Sequence, residues 1–321
     1  MLRYVLKRLV WVVFIMLMIT LFAFLIFFVL PPGDPATAFA GRLPTPAAIK
    51  EVKRAFGLDH SIFYQYGLFV KRLFLGDQYG WPGFGFSFAS RDAVRPDILS
   101  GAWITLQLAV GAAVIWLLMG VPIGIISALK RGQIWDRMAM GFALIGVSTP
   151  VFWLGLMGLY IFWFRLGWAP GTGFFRFSDS PFEWFTHLLM PWFVLALLFA
   201  ASYARITRGA MLDVMSEDYI RTARAKGLPE RTVVVKHGLR SSLIPVATLF
   251  GLDFGGLVGG AIVTERVFNI PGLGNLTVQG VNRGDLPVVM GVVVFAALGI
   301  TILSLIVDVV YTYLDPRVRF G

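Results

Sequence analysis

The chain has 321 residues, 57% of them hydrophobic and only 14% charged, with a mean hydropathy of +0.76, whereas soluble proteins carry about 25% charged residues, so it reads as an integral membrane protein. Lysine and arginine outnumber acids 28 to 18, an excess that nucleic acid, anionic lipid or membrane topology could each explain, so its placement decides. There is no cysteine, which excludes disulfides, thiolate metal sites and a cysteine nucleophile; no Gly-Lys pair occurs, so there is no P-loop, and His60, His187 and His237 form no metalloprotease pattern.

Arg3, Lys7 and Arg8 precede an apolar run of 22 residues, Leu9 to Leu30, where a span needs about 20. A cleaved signal peptide is the rival, with small residues at Ala36, Ala38 and Ala40 downstream. Its apolar region typically has only about 7 to 15 residues, so a retained helix over 1–30 is expected. Residues 31–100 follow, opening on PPGDP and mixing eight bases with six acids. Thr45 as N-cap and Pro46 at the first helical position predict a helix within Leu43 to Leu58. A second amphipathic stretch runs from Ile62 to Leu75, and a Gly/aromatic turn region from Gly76 to Phe88. So many aromatics suit a folded extracytoplasmic insert better than a linker.

A core of five further helices is expected over 101–321. Its spans are Gly101 to Leu129, with Pro122 inside, Met138 to Phe164, interrupted at Ser148, Thr149 and Pro150, and His187 to Arg205. At the break the proline frees a carbonyl that the hydroxyls can help satisfy, and the feature either shapes a pathway or is a kink. The last two spans run from Leu243 to Val263 and from Leu286 to Tyr313. Gly251, Gly255 and Gly259 share a face that lets another helix approach. Bases concentrate at 1–8, 130–137 and 205–240, while the loops 165–186 and 264–285 each carry two bases and two acids. Six spans with both termini cytoplasmic satisfy the positive-inside rule. Topology thus accounts for the charge excess, and no basic or aromatic face is left for nucleic acid.

The polar stretch Glu217 to Pro245, most of it in the cytoplasmic loop 206–242, cannot sit in lipid and reads as a structured loop. Tyr219, Ile220, Ala223 and Gly227 fall at helical spacing, with Leu228 and Pro229 after them, so a short helix ends at a glycine and stops at a proline. Its bases are interleaved with Ala223 and Ala225 rather than bulky anchors, which suits a partner's cleft better than a lipid surface. The rival is an ordinary loop facing lipid headgroups.

RTARAKGLPERTVVVKHGLRSSLIP, from Arg221 to Pro245, resembles the EAA loop of ABC importer permeases, in the variant of the dipeptide/oligopeptide permease family, B-type subunit. The opening span with PPGDP, then FGLDHSIFYQY, TERVFNIPGLGN and VDVVYTYLDPRVRFG, resemble that family in order over essentially the whole chain. The resemblance implies an all-α fold of six transmembrane helices, the type I importer permease, with an extracytoplasmic insert after the first. It implies a heterodimer with a second, homologous permease, two ATP-binding subunits that hold ATP and Mg, and an extracytoplasmic solute-binding protein. The chain itself would bind no cofactor and catalyse nothing. Arg221 stands where the general loop has a glutamate, a substitution the peptide branch often shows.

Carried over, Tyr219, Arg221, Thr222, Ala223, Arg224, Ala225, Lys226 and Gly227 would dock the ATPase, with Ala223 and Gly227 at the small positions. Glu265, Phe268, Pro271, Gly272 and Gly274 would meet the binding protein; the alternative is a capping loop without a partner. Asp253 lies in an apolar span, where a charge costs about 2.5 to 3.5 kcal/mol; it either meets a peptide's amino group or bonds to the other permease. Asp308 is expected to pair with an arginine at the interface. The function expected is the pathway half of an ATP-driven peptide importer in a bacterial or archaeal cytoplasmic membrane, working by alternating access. Nickel, glutathione or sugar are rival solutes. A self-sufficient secondary transporter would show more intramembrane acids or inverted repeats.

Overall fold

The computed structural model describes residues 2–30, 33–41 and 44–314, with side chains described over 8–30, 33–41 and 44–306. Asp308, expected at an interface, lies outside the described side chains. Nearly everything is helical, because the apolar runs must satisfy their backbone groups internally.

Helix α1 spans Leu2–Phe24 and continues in wider π-helical turns over Leu25–Val29. Asp34 caps the short α2, Pro35–Phe39, its carboxylate accepting from the Ala36 N–H. Thr45 caps α3, Pro46–Phe56, accepting from Ala48, and Gly57 closes it in the left-handed region. Helix α4 is Ile62–Leu75, and the Gly/aromatic region ends in a two-stranded hairpin, β1 Phe86–Ser87 with β2 Asp92–Ala93. Then come α5, Val94–Leu129, α6, Ile134–Ser148, and α7, Val151–Gly158, extended by π-helical turns over Leu159–Arg165. Helix α8 is Pro181–Met215 and α9 Asp218–Ala225. One helical stretch follows as α10, Glu230–Thr232, a π-helical run Val233–Leu239 and α11, Arg240–Val258. Helices α12, Ile262–Val267, α13, Leu273–Arg283, and α14, Leu286–Leu314, complete the described chain.

Among the described residues five stretches are long and apolar enough to cross a membrane, or six if α6 and the α7 segment form one span. That pair is bent by 100°, far more than the kink that Pro150 alone suggests. The Thr149 hydroxyl donates to the Ile145 carbonyl at 2.7 Å, which also accepts the Thr149 N–H. It thus doubles an existing bond rather than reaching the Gly146 carbonyl, the usual partner of the N–H that Pro150 lacks. The polar stretch also departs from expectation: residues 230–242 are the first turns of a helix that runs on into the fifth span.

The chain divides into two compact units. One gathers the chain up to Leu106 with Gly255–Arg266 and Pro271–Leu305; the other holds Gln107–Phe254, Val267–Ile270 and the chain from Ile306. In the first, the insert shares one core with the spans. Phe24 and Phe28 of α1, Phe39, Val52, Leu73 and Phe84 of the insert, and Val288 and Val294 of α14 are buried together. Phe28 and Phe39 lie 4.7 Å apart between ring centres, and Lys53 pairs with Asp34 at 2.8 Å. In the second unit α8 is the central helix. A Cβ on Gly120 or Gly124 of α5 would come within 2.8 Å and 2.6 Å of the Ala200 and Ala204 carbonyls, so the two backbones touch where no side chain fits. The expected glycine face, which runs along α11 and one residue past its end, is looser: a Cβ on Gly259 would meet Ile300 of α14 at 3.2 Å, and one on Gly255 would meet it at 3.8 Å.

Candidate functional site

Helix α9 has eight residues, too few to persist alone in water. Two devices hold it. Ile220 and Ala223 are buried with Val233, and Met215 packs on them. The last turn closes by a Schellman motif, with the Leu228 N–H on the Ala223 carbonyl at 3.4 Å and the Gly227 N–H on the Arg224 carbonyl at 2.9 Å. Gly227 takes φ +75°, and a Cβ there would meet nothing within 4 Å; backbone conformation rather than crowding asks for glycine. Arg224 grips Glu230 across the turn with two bonds, 2.8 and 3.2 Å, which hold the guanidinium above its ordinary pKa. Tyr219 reaches Ser241 at 3.3 Å.

Of the eight expected docking residues, Tyr219, Arg221, Thr222, Arg224, Ala225, Lys226 and Gly227 are exposed. Ala223 is 7% exposed and faces inward. Its small size lets the chain's own Val233 approach. Arg221 meets Asp218 at 3.3 Å, both well exposed, a pair worth little in water.

A second constellation was not anticipated. Asp136 of α6 is buried and saturated: Arg208 of α8 donates two bonds at 2.7 and 2.9 Å, Gly132 donates its N–H at 2.8 Å, and Ser127 its hydroxyl. The turn 130–133 is thereby fixed to the helix that leads into α9. Asp136 inside a basic loop was the available signal, but its partner lies 72 residues away.

The segment 261–275 folds on itself. Glu265 is fully buried. The Thr105 hydroxyl donates to its Oε1 at 2.7 Å and accepts the Leu273 N–H at 2.9 Å, while the Asn275 N–H donates to Oε2 at 2.9 Å. Burial outweighs these bonds and raises the carboxyl above its ordinary pKa. A Cβ on Gly272 would fall 2.5 Å from Glu265 and Thr105, and one on Gly274 as close to the Ile262 backbone, so both glycines serve this knot. Of the residues expected to meet a binding protein, Glu265, Phe268, Gly272 and Gly274 are buried within the chain and Pro271 is exposed. Ile262, Val263, Arg266 and Asn269 are the exposed neighbours.

Asp253 is half-buried on α11, its Oδ2 accepting from the Tyr203 hydroxyl at 3.0 Å. Tyr203 and Trp116 are fully buried, ring centres 5.8 Å apart. Ser148 is exposed and Thr149 half-buried at the α6/α7 bend, so the three residues belong to separate settings.

Residues 120–320 match the family described as "Binding-protein-dependent transport system inner membrane component", and residues 1–109 match its N-terminal companion. The glutathione transport system permease protein GsiC of Escherichia coli (strain K12) is 39% identical over 320 residues, all of both chains. A putative peptide transport system permease protein of Brucella abortus (strain 2308) is 38% identical over 98% of each. Among solved structures, the inward-facing MetNI methionine ABC transporter aligns with a TM-score of 0.56 at 20% identity, covering 68% of this chain and 96% of that one. The fold and the family match define an ABC importer permease with the type I fold, a multi-pass membrane subunit that is not itself catalytic. The chain belongs to the family of binding-protein-dependent transport system inner membrane components. A permease of this class works with ATPase and substrate-binding partners.

Proposed function

We propose that the chain is one pathway half of an importer for short peptides, glutathione-sized or longer, paired with a second, homologous permease. The observation that carries this is end-to-end similarity, near 39%, to relatives named for glutathione and peptide transport. Both termini and α9 are cytoplasmic in this reading, because the short loops beside them hold the basic excess. Each of two ATPases, with ATP and Mg bound, receives one coupling helix; here that is the exposed side of α9, from Tyr219 and Arg221 to Lys226. ATPase closure moves α9, and the Arg224–Glu230 bonds and the buried Ile220–Val233 contact carry the motion into the α10–α11 helix. Outside, Arg266, Asn269 and Pro271 meet the binding protein, on a turn stiffened by the Glu265 knot. Asp253 lines the path and meets the peptide's ammonium group, held in one rotamer by Tyr203.

The test uses the chain's lack of cysteine. A cysteine placed at Ala225 is expected to cross-link to a co-expressed ATPase subunit carrying a cysteine in its permease-facing cleft, while one at Ala223 is not. Absence of the Ala225 cross-link in an assembled complex refutes the docking assignment. Asp253→Asn is expected to raise KM for free dipeptides several-fold and leave N-acetylated ones unaffected.

A further inference from the structure

Helices α3 and α4 and the turn region after them enclose a cavity of about 350 Å³, where pockets for small molecules measure about 300 to 1,000 Å³. Phe56, Leu68, Phe86 and Phe88 give it apolar walls, and Glu51, Lys71 and Arg72 bring charge to the same space. Glu51, Lys71 and Tyr79 are exposed, so the cavity opens to water. It lies wholly within the insert.

The frame is fixed without any ligand. The Arg72 carbonyl accepts from the N–H groups of Gly76 and Gly83, at 2.8 and 3.2 Å, and a Cβ on Gly83 would fall 2.5 Å from that carbonyl oxygen, so the turn closes directly on the end of α4. The two Asp77 oxygens accept from the Tyr79 and Gly85 N–H groups at 2.8 and 2.9 Å, and the backbones of Asp77 and Gly80 exchange two bonds of 3.1 Å. The Phe86 ring stacks on Tyr79 at 5.6 Å and meets Phe88 edge-on at 5.4 Å. Arg72 is left over. Among the described residues no hydrogen bond or ion pair engages its half-buried guanidinium, which burial lowers in pKa while Asp77 and Tyr64 act on it only at a distance. A carboxylate restores by two parallel bonds the solvation that such a group has lost.

We propose that this cavity is a second peptide site, on the extracytoplasmic insert, in which the C-terminal carboxylate sits on Arg72 and Lys71, an apolar side chain enters between Phe56, Phe86 and Phe88, and the ammonium group faces Glu51. The choice of a peptide rests on the proposed function. With Asp77 engaged by the turn, two bases and one acid remain for a ligand, which suits a molecule carrying both a carboxylate and an ammonium group. An inorganic anion would leave the aromatic walls unused.

The complete transporter, without its binding protein, is photolysed in lipid nanodiscs with the dipeptide alanyl-benzoylphenylalanine and, in parallel, with its C-terminal amide and its N-acetyl derivative. Label on residues 51–56 and 77–88 is expected to be about tenfold greater from the free dipeptide than from the amide, the effect of losing one charged, hydrogen-bonded contact. Arg72→Gln should abolish that difference. Glu51→Gln changes an exposed side chain and should abolish the preference for the free over the acetylated amine; if Arg72→Gln does not fold, this variant and the probe comparison in the unaltered protein still decide. Equal labelling by dipeptide and amide, or unchanged labelling in Arg72→Gln, overturns the proposal. So does a label that excess alanylphenylalanine fails to displace but the ligand-free binding protein removes, which would make the cavity a protein contact. Uptake separates this site from the proposed function: dipeptide uptake with ATP and binding protein but no label refutes the site alone, whereas label with these preferences but no uptake refutes the importer assignment alone.

Discussion

Glu265 is a buried carboxylate with four donors, the Thr105 hydroxyl and the Asn275, Gly274 and Ala261 backbone N–H groups, and its chemistry sets a testable sign. Its folded pKa lies above the ordinary 4.5, so the folded chain holds the proton more tightly than the unfolded one. Stability is then fullest below that ordinary value and falls as pH rises through the raised one. Glu265→Gln keeps one acceptor oxygen, for the Asn275 backbone N–H, and turns an NH2 towards the Thr105 hydroxyl, but does not titrate; thermal denaturation of the solubilised transporter should lose that pH slope. Glu265→Ala leaves the donors unpaired, and a loss of about 1 to 3 kcal/mol is expected at any pH. Gly227 makes a different demand, since φ +75° costs a side-chain-bearing residue about 1 to 2 kcal/mol. Gly227→Trp should cut uptake more than tenfold at unchanged membrane level, whereas Gly227→Asn, which tolerates that conformation, should retain most of it. Equal uptake by the two would mean that neither the turn nor its open side matters.

Helix existence was legible in the sequence because each apolar run had only one way to satisfy its backbone. Thr45 and Pro46 mark the start of α3, and Gly227 with Pro229 the end of α9, from purely local chemistry. Helix contacts were less legible. The face Gly251, Gly255 and Gly259 drew attention by its repetition, yet the tight crossing occurs at Gly120 and Gly124, which meet Ala200 and Ala204. One glycine pair reads like another until the opposing backbone is known. Gly124→Ala should therefore cost about 1 to 3 kcal/mol of stability by overpacking, and Gly255→Ala little, as measured by the melting temperature of the detergent-solubilised complex. The α6/α7 bend is a similar case: Pro150 announces an interruption, but 100° depends on both halves packing against α8, where Gly146 sits with its missing Cβ 2.6 Å from that of Ala201.

For the whole molecule, the proposed function predicts that transport of labelled di- or tripeptides into vesicles requires this chain, the second permease, ATP and the binding protein together. Uptake by this chain alone would make it a self-sufficient transporter and overturn the assignment. The amino-acid sequence by itself determined the class: long apolar runs require membrane helices, the basic loops set an expected orientation, and without a P-loop any nucleotide energy would have to come from a partner. The family-like stretches from PPGDP to the end of the chain narrowed that class to importer permeases. Only the tertiary structure decided which of the singled-out residues face outward. Ala223, Glu265, Phe268, Gly272 and Gly274 turned inward, and Asp136 found Arg208 across 72 residues. The physical reason is that helix formation and membrane insertion act on neighbouring residues, while burial and ion pairing act between segments that sequence separation says nothing about.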